Sequence, residues 1–253
     1  MFSNAIVRKP GRSMIEGLTK ANLGVPDYHK AVEQHDSYIH ALKECGLEVR
    51  EMEEDESFPD STFVEDTALL TPHCAIITNP GAPSRKGEII EIKSLVKEYY
   101  SKVEEILEPG TVEAGDIMTV SDHYYIGLSA RTNLDGAEQL IRILKNYRMS
   151  GSVVKLEKVL HLKTGLAYLE NNNLVVCGEF LSNPEFKKFN IIEIVKEESY
   201  AANCVWINDK VLIPKGYPIT KQKIIDAGYS IIEVDMSEFR KLDGGLSCLS
   251  LRF

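Results

Sequence analysis

The chain has no apolar run approaching the roughly 20 residues needed to cross a bilayer, and its N-terminus lacks the apolar stretch of a secretory signal. A soluble, cytosolic protein without a membrane partner is expected. No CxxC pair is present, and the five cysteines, Cys45, Cys74, Cys177, Cys204 and Cys248, are scattered and odd in number. That argues against a disulfide framework or a closed zinc site and leaves at least one thiol free for chemistry. Positive charge is in deficit, with 29 Lys and Arg against 38 Asp and Glu and a net charge of -9. Without a basic patch interleaved with aromatics, nucleic acid is not the expected partner, and a small molecule is. His29, His35, His40, His73 and His123 show no metal-ligand spacing, so no metal is inferred.

At 253 residues and 43% hydrophobic composition, the chain can bury one substantial core, and a single domain over 1–253 is expected. Within it the order of elements repeats. Val64–Leu70 reads as a strand, Cys74–Thr78 as a second, and Glu88–Ile106 as an amphipathic helix with Ile89, Ile92, Val96, Tyr99, Val103 and Ile106 on one face. The order returns with Val112–Met118, His123–Leu128 and a helix over Leu134–Tyr147. A third copy starts at His161, with strands over Gly165–Leu169 and Leu174–Val176 and a short helix near Asn183–Phe189. A fourth follows Asn203, with Val205–Ile207, Val211–Ile213 and a helix over Thr220–Ala227.

The corresponding points are Glu65, Glu113, His161, Asn203 and Gly244, separated by 48, 48, 42 and 41 residues. Five units of this length fall in the range of solenoids and propellers. The last has room only for Ser247–Arg252, but the chain opens with a spare strand, Asn4–Arg8, and a helix over Asp27–Cys45. The two termini can therefore complete one unit between them and remove exposed edges, which predicts an α/β fold built as a closed ring of five strand-strand-helix units. The ordinary alternative is an α/β sandwich with accidental periodicity.

Closure carries a chemical consequence, because equivalent positions in a ring face the axis at the same end. Glu65, Glu113 and His161 then converge, and Cys248, four residues past Gly244, is near enough to join them. Together Glu113, His161 and Cys248 read as a nucleophile with acid/base partners. Taken singly, each has a plainer reading: charges at strand starts, a buried histidine, a small apolar filler.

The ordered motifs Ala5–Pro10, Phe63–Ala68, Glu113–Asp116, Leu160–Lys163 and Asp243–Cys248 resemble the dimethylarginine dimethylaminohydrolases. These belong to the guanidine-modifying (pentein) superfamily, whose fold is a five-bladed β/α propeller. Ala114 departs from a glycine common in relatives. The resemblance implies a cysteine hydrolase that converts N-ω-methylated arginine to citrulline through a covalent amidine intermediate, with no metal or cofactor.

The chemistry accounts for the residue types. A guanidinium carbon is a poor electrophile, so it needs a thiolate, here Cys248, whose ordinary pKa of about 8.5 can fall beside a bound cation or a protonated His161. His161 can protonate the departing amine and then activate water, with Glu113 orienting its ring. Asp66 matches the guanidinium fork. Alternation along a strand would turn its neighbour Glu65 the other way, although the resemblance puts both at the site. By the same resemblance Asp116 is structural, Arg85 and Arg131 bind the substrate α-carboxylate, Asp60 its α-amino group, and Gly11–Leu18 is a lid with Leu18 at its tip. Two readings stay open beside methylarginine hydrolysis: an arginine deiminase-like or other guanidine hydrolase, and a catalytically idle amino-acid-binding protein. Oligomeric state is not legible.

Overall fold

The computed structural model describes residues 1–253. Five three-stranded sheets account for all the strands. The first repeat forms one from Ala68–Leu70, Ala75–Ile77 and Val103–Glu105, and the second from Ile117–Val120, His123–Leu128 and Ser150–Lys155. The third is Leu166–Tyr168, Asn173–Val176 and Asn190–Glu193; the fourth is Val205–Ile207, Lys210–Pro214 and Ser230–Val234. In each, the first two strands form an antiparallel hairpin and the third returns parallel to the middle one. The fifth sheet joins the termini, with Leu251–Arg252 antiparallel to Asn4–Arg8 in the register Ala5 to Arg252, and Glu48–Met52 parallel on the other side.

Four expectations need correction. The units contain a third strand that the strand-strand-helix reading omitted. The run Glu88–Ile106 is not one helix: the α-helix covers Ile89–Leu95, a 3-10 turn Val96–Glu98 follows, and Val103–Glu105 leaves to pair with Ala75–Ile77. A three-residue strand shows no period of its own, so the helical pattern absorbed it. Near Asn183–Phe189 there is no α-helix but 3-10 turns at Gly178–Ser182 and Pro184–Phe186, since the next strand begins at Asn190. The inner strands also start late, at Ala68 and Ile117, because 3-10 turns occupy Val64–Thr67 and Ala114–Asp116.

Two longer helices lie where periodicity put them. Tyr28–Glu44 is capped by the Asp27 side chain, which accepts from the Lys30 N–H at 3.1 Å, and buries Ala31, His35, Tyr38, Ile39 and Leu42 along one face. Leu134–Asn146 is capped by Asn133 and packs Ala137, Leu140 and Leu144 with Ile76, Ile117 and Ile126 of two neighbouring sheets. No helix is long and apolar enough to cross a membrane.

The 3-10 turns at the starts of the inner strands explain how residues 40–50 apart meet, because side chains stitch each to the next. Asp66 Oδ1 accepts from the Gly115 N–H at 2.8 Å, and Asp116 Oδ1 from the Leu162 N–H at 3.0 Å. Asn203 Nδ2 donates to the Lys163 carbonyl at 3.1 Å, and its Oδ1 accepts from the Ser247 N–H at 3.0 Å. Ser247 Oγ then donates to Glu65 Oε2 at 2.8 Å, which returns the series to its first member. All five links are buried or nearly so, where an unmade partner costs about 1–3 kcal/mol, so the turns are held in register.

Candidate active site

Glu113 is fully buried and its two oxygens have different partners. Oε2 faces His161 Nε2 at 2.8 Å, while Oε1 accepts from the Ala82 N–H at 3.1 Å and from Arg131 Nη1 at 3.3 Å. Asp66 Oδ2 accepts from Arg85 Nη1 at 2.6 Å, and its Oδ1 from the Gly115 N–H. Gly115 makes this closeness possible, because a Cβ there would lie 2.8 Å from Asp66 Oδ1 and 3.0 Å from His161 Nδ1. Ala114, by contrast, is buried in the core between two sheets, where its methyl has room.

These groups set one another's charge. Burial alone would lower the pKa of His161, but Asp66, the Glu113 hydrogen bond and Asp116 outweigh it and raise the imidazole to about 9. Burial also works against ionising Asp66 and Glu113; His161 and Arg85 prevail and hold both below the usual carboxylate range. Asp116 goes the other way, pushed up to about 6 by burial despite its bonds to Ser129 and Leu162. Cys248 stands in the 3-10 turn Ser247–Leu249, and the Gly245 N–H reaches its Sγ at 3.4 Å. Burial, with Glu65 and Asp66 behind it, pushes this thiol up to about 12. The resting site therefore holds a protonated imidazole and a neutral thiol.

The ligand-type atoms of Asp66, Glu113 and His161 lie within 4.8 Å of one another, a grouping that also invites a metal. Its lone pairs are already committed to Arg85, Gly115, Ala82 and Arg131, and a protonated imidazole is no ligand. The donor set suits an organic cation better.

A compartment of about 40 Å³ brings together Leu18, Asp60, Asp66, Arg85, Glu113, Arg131, His161 and Cys248, nearly the whole set read from sequence. Leu18 lines it: its N–H donates to Asp60 Oδ1 at 3.0 Å, and the segment before it contains a 3-10 turn, Arg12–Glu16, whose N–H groups at Arg12 and Ser13 are held by Glu56. Arg131 is the more available arginine. Arg85 is buried and spends its donors on Asp66, Glu88 and the Phe63 carbonyl.

Glu65 lies outside that compartment. Its carboxylate takes Lys163 Nζ at 2.6 Å, Arg252 Nη2 at 3.2 Å and the Ser247 hydroxyl. Glu65 and Asp66 do diverge, but through a 3-10 turn rather than strand alternation. Glu65, Lys163 and Ser247 separate the Cys248 region from a cavity of about 280 Å³ lined by inner-strand residues including Leu69, Met118, Ala167 and Trp206. Cys204 lines that cavity and is absent from both compartments that contain Cys248. Sequence reasoning gave no role to Lys163, Ser247 or Glu88, and Asn203 was only a register point. The Arg85–Glu88 spacing, three residues within one 3-10 turn, was the available signal for Glu88.

A family model described as N,N dimethylarginine dimethylhydrolase, eukaryotic, matches residues 26–250. The N(G),N(G)-dimethylarginine dimethylaminohydrolase of Pseudomonas aeruginosa is 61% identical, covering 100% of both chains. The chain belongs to the dimethylarginine dimethylaminohydrolase family. Among solved structures of this family, a cysteine-to-serine variant of the Pseudomonas aeruginosa enzyme complexed with citrulline superposes with a TM-score of 0.99 at 61% identity over 100% of both chains. A histidine-to-glycine dimethylarginine dimethylaminohydrolase, in an adduct with S-methyl-L-thiocitrulline, matches with the same score, identity and coverage.

Proposed function

We propose that this protein hydrolyses N-ω-methylated arginine, mono- or asymmetrically dimethylated, to citrulline and methylamine or dimethylamine. The reading is carried by the compartment that places Asp66, Glu113 and His161 beside Cys248 with Arg131 and Asp60 in the same walls, in a chain of this family. In it the guanidinium lies against Asp66, the α-carboxylate against Arg131 backed by the charge of Arg85, and the α-amino group at Asp60. Glu65 supports the nucleophile turn through Ser247.

The proton inventory gives the order of events. The substrate cation supplies the positive charge that a thiol pushed up to about 12 lacks, so Cys248 ionises as substrate binds and its proton passes to solvent. Sγ attacks the guanidinium carbon. The carbon–nitrogen bond to the alkylated nitrogen breaks with its electron pair going to nitrogen, and His161, protonated at rest, supplies the proton. The now neutral His161 takes a proton from water as its oxygen attacks the amidine carbon. The carbon–sulfur bond then breaks, its pair returning to Sγ, which takes up the proton that the hydroxyl sheds as the carbonyl of citrulline forms.

The same proposal takes 1–253 as one domain and the five sheets as blades of a closed β/α propeller; the terminal pairing and the five stitched turns support it. Five free cysteines fit a cytoplasmic setting. The deciding experiment is a side-by-side assay of N-ω-methylarginine, N,N-dimethylarginine, arginine and agmatine. Methylated arginines should lead. Arginine equalling them makes the protein a deiminase, agmatine leading removes the α-carboxylate contact, and no turnover at all leaves an amino-acid-binding protein.

A further inference from the structure

Cys248 and His161 stand between two compartments, of which the proposed chemistry fills one. The second, also about 40 Å³, is walled by Lys163, Thr164, Tyr200 and Asn203 together with Gly115 and Gly245. It contains no residue of Gly11–Leu18 and no arginine. Its one ammonium, on Lys163, is bound by Glu65 at 2.6 Å. This space has nothing to hold an α-carboxylate, yet it shares the nucleophile and the acid with the space that does.

Hydrolysis at one carbon needs an amine to leave and a water to arrive while the amino-acid end stays bound. The first compartment is poorly placed for that traffic. Leu18 is latched to Asp60, the Lys20 N–H donates to Asp243 Oδ2 at 2.6 Å, and the Thr19 hydroxyl reaches the Lys241 carbonyl at 2.7 Å. The second compartment reaches solvent beside Thr164, which is exposed, and Tyr200, which is half-buried with its hydroxyl on the Gly244 carbonyl at 2.8 Å. Glu113 holds His161 by Nε2, which leaves Nδ1 as the ring nitrogen without a partner, and Nδ1 lies beside Gly115 in the wall of this second space.

We propose that the compartment behind Thr164 receives the departing alkylamine and admits the hydrolytic water while the amino-acid end remains closed under Leu18. Thr164, in the 3-10 turn that His161 caps, is then a specificity-determining residue for the size of the leaving amine. This rests on the proposed hydrolysis of methylated arginine. The carbon–nitrogen bond breaks toward this space, the His161 proton goes to that nitrogen, and water entering by the same way returns a proton to His161.

The test uses the full chain with Thr164→Phe and Thr164→Ala, both at an exposed position that leaves the core untouched. Steady-state kinetics with N-ω-methylarginine, N,N-dimethylarginine and N-ω-propylarginine are compared with the inhibition constant of citrulline. Thr164→Phe should lower kcat for the dimethyl substrate about tenfold more than for the monomethyl one, in the range set by methyl-sized differences in a pocket. Citrulline inhibition should stay within about twofold, and Thr164→Ala should raise the relative rate on the propyl substrate. Equal losses on all substrates, a parallel change in citrulline inhibition, or unchanged ratios in both variants would overturn the assignment. If the unaltered protein hydrolyses none of the three, the functional reading itself has failed and takes this one with it.

Discussion

His161 holds the Glu113 carboxylate through Nε2 at 2.8 Å and makes no hydrogen bond to Cys248, whose Sγ is met by the Gly245 N–H instead. The thiol and the imidazole are thus charged by different sets that share Asp66: Asp66, Glu113 and Asp116 raise the imidazole, while burial, Glu65 and Asp66 keep the thiol neutral. A bound guanidinium is the cation this arrangement lacks.

Cys248→Ser should abolish citrulline formation while leaving thermal unfolding within a few degrees of the parent, because the hydroxyl fits the same turn but is a far weaker nucleophile. Citrulline release is the measurement. Activity above about one hundredth of the parent would remove Cys248 from the nucleophile role.

The raised pKa of His161 predicts a fall in kcat/KM as pH climbs through about 9, where the imidazolium is lost. Glu113→Gln removes a charge that favours the imidazolium, so this alkaline limb should move to lower pH. His161→Gly should let a substrate-derived adduct build up on the Cys248 peptide in rapid-quench mass spectra, since water activation is lost. The linkage runs the same way for stability. An imidazole raised from about 6.5 to about 9 on folding stabilises fully below 6.5 and loses that contribution as pH rises through 9. Melting temperature should therefore decline over that window in the parent more than in His161→Gln.

Arg131→Ala should cost substrates bearing an α-carboxylate about 1.5–3 kcal/mol in transition-state binding, or about ten- to more than a hundredfold in kcat/KM. Agmatine, which lacks the carboxylate, should be nearly indifferent. A uniform loss across both substrates would assign Arg131 to holding Glu113, which it also touches at 3.3 Å.

Gly115→Ala should be disproportionately damaging for one methyl group. Its Cβ would sit 2.8 Å from Asp66 Oδ1 and 3.0 Å from His161 Nδ1, and Asp66 cannot retreat while Arg85 holds it at 2.6 Å. A kcat/KM loss of about a hundredfold with a change in melting temperature of only a few degrees is expected. Near-parental activity would show that Asp66 and His161 need not approach each other this closely.

The repeat and its chemistry were legible in the sequence because each rests on short-range information. Hydrophobic period marked the helices Tyr28–Glu44 and Leu134–Asn146, and the spacing of Glu65, Glu113 and His161 marked positions that the folded chain links turn to turn. Pairing of the two termini followed from a strand at each end. What the sequence left open needed contacts between segments far apart. The third strand of each unit, such as Val103–Glu105, exists only because Ala75–Ile77 offers it a parallel edge. Arg85 is turned inward by Asp66 and Glu88, Lys163 is fixed by Glu65 across 98 residues, and the space behind Thr164 is bounded by side chains from four units. Residue type and local period decide which groups are available to the site. Burial, and the hydrogen bonds it makes obligatory, decide where each points and whether it is charged.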